Sequence, residues 1–365
     1  MKEKILIYKR FLRGIFYGTK NLILRMPNKT SLKPQKIWLE ATDKCNSRCT
    51  HCSIWNKKST ENPLSPAEIE KIFKDPIFSE LEYVIISGGE VVLRPDIVDF
   101  YLAIHRALPN TQLHLSTNGI AADRILKVVN EVISHGIFLK IGISVDGIGE
   151  KHDKVRGIKG NFESVDRLLR ELIAIKEKTN KISLVIGYTL SKLTIDSFQE
   201  VKEYADKLGI GVITQWYNES PFYDNTGRDL TNKKDLNKRM LNIVKSLTPH
   251  PLNDLWINWL KKGSMKFKCF AGYTFCVLRC NGDLVPCLSL WDNKIGNVRE
   301  KSPTEIWNSA MAQETRRCVK KCPGCLNSWA VGWSFEYSFF PKLLFNIRHP
   351  GLIFKKITGK FYRQQ

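Results

Sequence analysis

Three cysteines in one short stretch constrain this chain more than any other feature. Cys45, Cys49 and Cys52 have CxxxCxxC spacing and follow a strand-like run at residues 37–41. Thiolates are the soft ligands that suit iron–sulfur clusters, and three of them can hold three irons of a cubane while the fourth iron stays open. A zinc site more often has a fourth Cys or His nearby, and a disulfide would use only two of the three. The spacing therefore favours a three-cysteine [4Fe–4S] cluster over a zinc site or a disulfide.

This stretch resembles the signature of the radical S-adenosylmethionine (SAM) family. The resemblance implies that Cys45, Cys49 and Cys52 hold the cluster and that SAM chelates its open iron. An electron from an external donor of the flavodoxin or ferredoxin type would then split SAM into methionine and a 5′-deoxyadenosyl radical, which abstracts a substrate hydrogen. His51 departs from the family, which usually has an apolar or aromatic residue there over the adenine, although an imidazole can also stack.

The cysteine usage indicates a reducing compartment. The chain has 365 residues and ten cysteines, and none of them lies between residues 53 and 268. Disulfide frameworks are typical of short secreted chains, whereas clustered CxxxC and CxxC spacings are typical of metal ligands. The early apolar residues are interrupted by cations, so we find no signal peptide, and no apolar run is long enough to span a bilayer. These observations predict a cytoplasmic protein.

The positive charge is concentrated at the two ends. The net charge is +21, and residues 1–36 carry ten Lys or Arg against one acid, while six more cations and no acid follow Glu336. Aromatic and aliphatic residues are interspersed with these cations at helical spacing, which is typical of segments that lie on an anionic membrane surface. Docking of both ends on the protein's own surface explains the pattern equally. No nucleic-acid-binding motif accompanies the charge.

Alternating strand and helix signals predict the fold. Strands are expected at residues 37–41, 83–86, 113–115, 139–143, 182–189 and 210–215, with helices after 65, after 94, up to about 134, and at 162–175 and 195–207. Six strand–helix repeats predict an α/β fold, a partial (β/α)6 TIM-type barrel over residues 36–265 that follows a basic arm at 1–35. Function in such barrels gathers at the C-terminal ends of the strands.

Several motifs at these strand ends resemble the SAM-binding elements of the family. The resemblance implies contacts to SAM from the glycine pair and acid after the second strand, from the Thr-Asn turn after the third, and from the Ser-x-Asp-Gly end of the fourth with a nearby arginine. These residues are Gly88, Gly89, Glu90, Thr117, Asn118, Ser144, Asp146 and Arg156. Paired glycines can equally form a simple turn, and Asp146 can equally cap its own turn.

The C-terminal third contains seven cysteines and resembles the SPASM/twitch extension of radical SAM enzymes. Residues 266–335 would form this domain, followed by a basic aromatic tail at 336–365. The resemblance implies an auxiliary [4Fe–4S] cluster held by Cys269, Cys287, Cys322 and Cys325. Cys276, Cys280 and Cys318 are left over, and a second three-cysteine cluster is one interpretation of them. Tetrahedral zinc is the alternative for the four-cysteine set.

An auxiliary cluster suggests that the substrate radical loses a second electron. We therefore expect oxidation or modification of a small or lipid/glycan-linked metabolite. The alternatives are a peptide or protein maturase of the kind that modifies ribosomal peptides or sulfatases, and a non-catalytic electron carrier. About 35 residues before the barrel are too few for a leader-peptide domain, which counts against a maturase without a separate recognition partner. The catalytic base is not assigned, and the candidates are Glu219, Tyr217, Tyr188 and Arg156. Gln215 and Trp216, at the end of the sixth strand, would face either the substrate or the core.

Overall fold

The computed structural model describes residues 32–228, 230, 235–247, 251–263, 268–322, 324–338 and 347. The amphipathic patterns predicted at the two basic ends lie outside these residues, apart from a few at their edges. Among the described residues, no helix combines the length and apolarity needed to cross a bilayer.

Six parallel strands form the body of the protein. They are β1 (Lys36–Thr42), β2 (Tyr83–Gly88), β3 (Gln112–Thr117), β4 (Leu139–Ser144), β5 (Ile182–Leu190) and β6 (Gly211–Trp216). Each pairs with the next in chain order. Parallel neighbours require crossover connections, and helices supply them. The predicted partial (β/α)6 barrel is confirmed.

Helices connect these strands. They are α1 (Pro66–Phe73), α2 (Ile97–Ala107), α3 (Ala122–Ser134), α4 (Glu150–Arg156), α5 (Asn161–Thr179) and α6 (Phe198–Lys207). Helix α1 begins where the sequence predicts, and its first turn contains Pro66 and has a capping box formed by Ser65 and Glu68. Helix α4 was not predicted, because its seven polar-rich residues between two glycines are too short to show a helical period.

The cysteine-rich region continues the same sheet. After α7 (Asp235–Ser246) and α8 (Pro251–Lys262) come β7 (Phe275–Leu278), β8 (Asp283–Val285) and β9 (Gly296–Asn297), then α9 (Pro303–Asn308), α10 (Ala310–Lys321) and α11 (Ser328–Glu336). Strand β7 pairs parallel to β1, and β8 turns back antiparallel to β7 as a hairpin. The sheet order is β6-β5-β4-β3-β2-β1-β7-β8-β9.

The two faces of the sheet have different roles. Alternate residues of each strand point to opposite faces. On β3, Leu113 and Leu115 join the large apolar core with the helices, whereas His114 and Ser116 line an interior cavity. The helix layer therefore supplies most of the apolar burial, and the opposite face is left free to carry polar groups.

Candidate active site

One cavity collects most of the residues singled out by the sequence. It lies at the ends of the barrel strands and inside the sheet. Its walls include the three N-terminal cysteines and most of the motif residues that follow β2, β3 and β4, namely Cys45, Cys49, Cys52, Gly88, Gly89, Glu90, Thr117, Asn118, Ser144 and Arg156. Residues far apart in sequence are thus brought together where parallel strands place their functional groups.

The cysteine loop is held by the last turn of α4. The backbone amide of Arg48 donates to the carbonyl of Arg156 at 3.0 Å, and that of Thr50 donates to the carbonyl of Val155 at 2.9 Å. The helix ends at Gly157 in the left-handed region with φ +67°, where a Cβ would lie 2.4 Å from the Arg48 carbonyl oxygen. Hydrogen bonds to the backbone of helix α4 thus fix the conformation of the cysteine loop.

The glycine pair after β2 holds the start of the same loop. The amide of Gly89 donates to the carbonyl of Thr42 at 2.7 Å, and the amide of Glu90 donates to that of Lys44 at 2.8 Å. A Cβ on Gly88, whose φ is +131°, would lie 2.0 Å from the Thr42 oxygen, and one on Gly89 would lie 2.0 Å from the Lys44 oxygen. The pair is therefore required for close backbone approach, whatever further contact it makes to SAM.

Replacing Gly89 with alanine is expected to displace the cysteine loop, because the clash is with backbone that cannot rotate away. The N-terminal cluster should then load poorly, and iron per reconstituted chain should fall by up to about four of eight. Gly332→Ala is the matched control, since a Cβ at this glycine of α11 meets nothing within 4 Å. Equal iron content in the two variants would contradict the packing role.

Both carboxylate oxygens of Glu90 accept hydrogen bonds from the C-terminal end of β3. Thr117 Oγ1 donates to its Oε1 at 2.9 Å, and the amide of Asn118 donates to its Oε2 at 2.7 Å. Burial raises the pKa of Glu90 to about 7, although these hydrogen bonds act in the opposite direction. The Asn118 amide group in turn donates to Asn46 Oδ1 at 2.8 Å and lies 3.8 Å from Cys45 Sγ. Glu90 therefore couples β2 to β3 beside the cysteines, and its contact to SAM stays a prediction.

Asp146 and Arg156 form a buried ion pair behind the cysteine loop. Arg156 Nη2 lies 2.6 Å from Asp146 Oδ2, and both side chains are almost completely buried. Asp146 Oδ1 also accepts from the amide of Thr189 on β5 at 2.8 Å, so its contacts cross to other elements rather than capping its own turn. Burial alone would raise the pKa of Asp146, but Arg156 and His51 outweigh it and the net shift is downward.

Removing Asp146 should destabilise the protein strongly. Asp146→Ala leaves Arg156 buried without its partner, which typically costs about 3–5 kcal/mol. The free energy of unfolding can be compared by anaerobic urea denaturation of the reconstituted protein. Asp123→Ala is the control, because Asp123 pairs with Arg167 on the surface and a screened pair contributes little. An Asp146→Ala midpoint no lower than that of the control would contradict the assignment.

His51 lies within the loop and faces the cavity. Its Nε2 is 3.9 Å from Asp146 Oδ2, and its Nδ1 is buried without a hydrogen-bond partner among the described residues. Burial lowers the pKa of His51 to about 4, with Asp146 acting in the opposite direction. The imidazole is therefore neutral at physiological pH, and its predicted stacking on adenine stays a prediction.

His114 is a cavity residue that the sequence reasoning missed. It lies on β3 and is 2% exposed, and its Nδ1 is 2.6 Å from the hydroxyl of Tyr83 on β2. A Cβ on Gly142 of β4 would lie 2.8 Å from Nε2, so this glycine makes room for the ring. Burial lowers the pKa of His114 to about 3, and Lys140 adds to the effect. A signal was present: His114 alternates with the apolar residues Leu113 and Leu115 and shares its face of the strand with Ser116.

The structure places the candidate base residues and their neighbours in different environments. Tyr217, Gln215 and Trp216 line the cavity. Tyr188 is buried in the apolar core and donates to the carbonyl of Thr194. Glu219 is exposed, and its carboxylate accepts from the amide of Gly227 at 2.7 Å. The cavity therefore favours Tyr217 and Gln215 as substrate-facing residues, whereas Trp216 also packs against Trp256 in the apolar core.

The four cysteines of the expected auxiliary site are neighbours. Burial raises the pKa of Cys287, and the adjacent Cys269 and Cys325 thiols add to the shift. Burial also raises the pKa of Cys325 to about 12, with further contributions from Cys269 and Cys322. Helix α11 begins three residues after Cys325. Its Trp329 lines the cavity and contacts the His114 ring edge-on, with centroids 6.0 Å apart. The auxiliary site is thus joined through one helix to the cavity wall.

The remaining three cysteines have separate environments. Cys276 points from β7 into the helix-side core, Cys280 lies 3.3 Å from Thr60 Oγ1, and Cys318 is exposed on α10. Burial raises the pKa of Cys276 and of Cys280, and neither shift has a contribution from another cysteine. The structure therefore gives no support to a second auxiliary cluster built from these three.

Both cysteine sets supply the thiolate donors that iron–sulfur clusters require, although among the described residues no three such side chains are arranged to hold a metal ion together. Cys45, Cys49 and Cys52 share one loop at the cavity, and burial raises the pKa of Cys45 to about 11 and that of Cys52 to about 12. These thiols are therefore protonated without metal, and loading must release protons. Arg156 Nη1 lies 3.7 Å from Cys49 Sγ, which places a cation where thiolate charge would build up.

Comparison with known proteins agrees with this geometry. A family model described as the radical SAM superfamily matches residues 39–205, and one described as an iron–sulfur cluster-binding domain, SPASM, matches residues 269–326. The mycofactocin maturase MftC of Mycobacterium tuberculosis is 33% identical over 302 residues, which cover 78% of this chain and 74% of the relative. The chain belongs to the radical SAM superfamily. It is a radical SAM enzyme with a SPASM domain, and it uses SAM and [4Fe–4S] clusters.

Other relatives differ in their named products. The Fe-coproporphyrin III synthase of Methanosarcina barkeri is 34% identical over 166 residues, which cover 45% of this chain and only 38% of that relative. The sporulation killing factor maturation protein SkfB of Bacillus subtilis is 23% identical over 299 residues, which cover 80% of this chain and 69% of the relative.

Solved structures show the same fold. SuiB of Streptococcus suis bound to S-adenosylmethionine has a TM-score of 0.63 and 18% identity, covering 83% of this chain and 75% of that chain. SuiB bound to precursor peptide SuiA has a TM-score of 0.61 and 16% identity, covering 81% and 69%. At this identity the likeness concerns the fold alone.

Proposed function

We propose that this radical SAM enzyme is a peptide maturase, which modifies a peptide after hydrogen abstraction. The observation that carries the proposal is the mycofactocin maturase match, because it spans most of both chains and exceeds 30% identity. The main expectation from the sequence, a small or lipid/glycan-linked metabolite, has less support than this alternative. The chemistry supplied by the bound cofactors is reductive cleavage of SAM to a hydrogen-abstracting radical.

The cavity has the features that such a substrate needs. It runs from the cysteine loop along the inner sheet face, where Ser116, Gly142 and Gly187 leave space, to His114 and Trp329. A neutral imidazole held by Tyr83 can hydrogen-bond a carbonyl or hydroxyl group without introducing charge. Because α11 joins this wall to the auxiliary cysteines, a substrate held there lies near an electron acceptor. An external flavodoxin- or ferredoxin-type donor would supply the first electron.

A second candidate is modification of a small molecule. The Fe-coproporphyrin III synthase match favours it, since that relative is named for a tetrapyrrole product, although the alignment covers only 45% of this chain. The two candidates differ in the size of the substrate and in whether a peptide must be recognised along its length.

The test is co-expression of the enzyme with each short peptide encoded beside its gene, followed by mass spectrometry of the peptides. A maturase should change the mass of one peptide, and the Cys45→Ala/Cys49→Ala/Cys52→Ala variant should leave it unmodified. His114→Leu should lower product formation while SAM cleavage continues, because the substituted side chain fills the site without a hydrogen bond. No mass change with any peptide would overturn the proposal and favour the small-molecule candidate.

A further inference from the structure

A buried cation touches the sulfur of a cluster cysteine. Arg156 Nη1 donates towards Cys49 Sγ at 3.7 Å, and Arg156 is 6% exposed. Among the described residues, it is the one arginine or lysine with a hydrogen bond to a sulfur of the CxxxCxxC loop. The nearby Arg48 is exposed, and its guanidinium contacts the carbonyls of Cys45 and Ser47 and lies over the Trp55 ring, 4.8 Å from its centroid.

Contacts within the protein hold the Arg156 guanidinium in place, away from solvent. Asp146 Oδ2 holds Arg156 Nη2 at 2.6 Å, and Asp146 is itself held by the amide of Thr189. Arg156 Nε is buried with no hydrogen-bond partner in the described part of the chain, so the guanidinium retains a free donor. Burial alone would lower the pKa of Arg156, but Asp146 and Cys49 outweigh it and the net shift is upward.

The two histidines around this pair do not supply the positive charge in place of Arg156. His51 faces Asp146 from the loop and His152 accepts from the amide of Asp146, and burial lowers the pKa of each to about 4. Both imidazoles are therefore neutral at physiological pH. Arg156 and Asp146 form a buried pair of opposite charge, and the cation is the one that touches the sulfur. Glu90 and Arg228 also act electrostatically on this loop, through Cys45 and His51 respectively.

We propose that Arg156 raises the reduction potential of the cluster held by Cys45, Cys49 and Cys52, and that Asp146 positions it. Reduction adds one electron, taken from an external donor that is oxidised, and this electron increases the negative charge on the cluster and its sulfurs. A fixed cation in a low-dielectric site stabilises that reduced state more than the oxidised state. Arg156 would thus act on the cluster before SAM binds.

This role differs from the SAM-carboxylate contact implied by the family resemblance. A carboxylate anchor changes the affinity for SAM and leaves the potential of the SAM-free cluster unaltered. A redox role changes that potential in the absence of SAM. The inference does not depend on the identity of the substrate, so it can fail while the maturase proposal stands, and the reverse is also true.

The experiment is a potentiometric titration of the reconstituted enzyme without SAM, followed by electron paramagnetic resonance. The signal of the auxiliary cluster is taken from the Cys45→Ala/Cys49→Ala/Cys52→Ala variant and subtracted. Arg156→Gln should shift the midpoint to more negative potential. Asp146→Asn should shift it to more positive potential, because the amide removes the compensating negative charge while its one oxygen can still accept from Arg156, with loss of the hydrogen bond from Thr189. Arg48→Gln, an exposed loop cation, should leave the midpoint close to wild type.

Opposite shifts in the two buried variants support the proposal, since general disruption of the loop does not predict opposite signs. An unchanged midpoint in Arg156→Gln with weaker SAM binding would overturn it in favour of a carboxylate anchor. Shifts of both variants in the same direction would also overturn it. If Arg156→Gln fails to load iron, Asp146→Asn decides alone: a positive shift supports the proposal, and no shift or a negative one contradicts it.

Discussion

Replacing Cys45, Cys49 and Cys52 with alanine is expected to abolish formation of 5′-deoxyadenosine from SAM and to remove about four irons per chain. All three thiols line the cavity, and Cys49 contributes to the raised pKa of both Cys45 and Cys52, so they form one ligand set. Without them no open iron exists to bind SAM or deliver its electron. The assay is anaerobic, with dithionite as reductant and chromatographic detection of the nucleoside.

Cys318→Ala is the matched control for this variant. Cys318 is an exposed cysteine on α10, outside both expected ligand sets. It should retain wild-type iron and wild-type SAM cleavage. Residual 5′-deoxyadenosine in the triple variant would show that another site performs the cleavage, which contradicts the assignment of the loop.

The double substitution Cys322→Ala/Cys325→Ala should separate SAM cleavage from product formation. Two of the four auxiliary ligands are lost, so about four irons per chain should disappear while the N-terminal cluster remains. SAM cleavage should continue, because the cysteine loop is held by α4 and the glycine pair rather than by the C-terminal region. Product formation should fall to background if the substrate radical must pass an electron to the auxiliary cluster.

The same Cys318→Ala control applies, and the measured ratio is product to 5′-deoxyadenosine. Loss of both activities would indicate that the auxiliary site supports the cavity wall through α11 rather than accepting an electron. Full product formation in the double variant would contradict an electron-acceptor role.

The barrel could be predicted from sequence because its signals are local. Alternation of strand and helix, the Ser65 capping box and the cysteine spacing each lie within a few residues. The strand ends then follow from the topology, since parallel strands place their carboxyl ends at one edge. The meeting of the loop with Gly89 and Asn118 is a consequence of that rule.

The remaining features of the site and of the sheet depend on contacts between distant parts of the chain, which no local sequence pattern encodes. The Asp146–Arg156 pair joins a strand end to a short helix without a detectable period, and the Tyr83–His114 pair joins two strands. The pairing of β7 with β1 involves segments more than 200 residues apart, so the extension was expected as a separate domain whereas the sheet runs through both parts. Side-chain partners across elements become visible only once the elements are placed.

Iron and sulfide content of the wild-type enzyme, purified and reconstituted without oxygen, tests the central claim most directly. That claim is one cluster on the CxxxCxxC loop and one on Cys269, Cys287, Cys322 and Cys325. The account predicts about eight irons and eight sulfides per chain, with no bound zinc. About four of each, with zinc present at the C-terminal cysteines, would contradict the auxiliary cluster and the oxidative chemistry that depends on it.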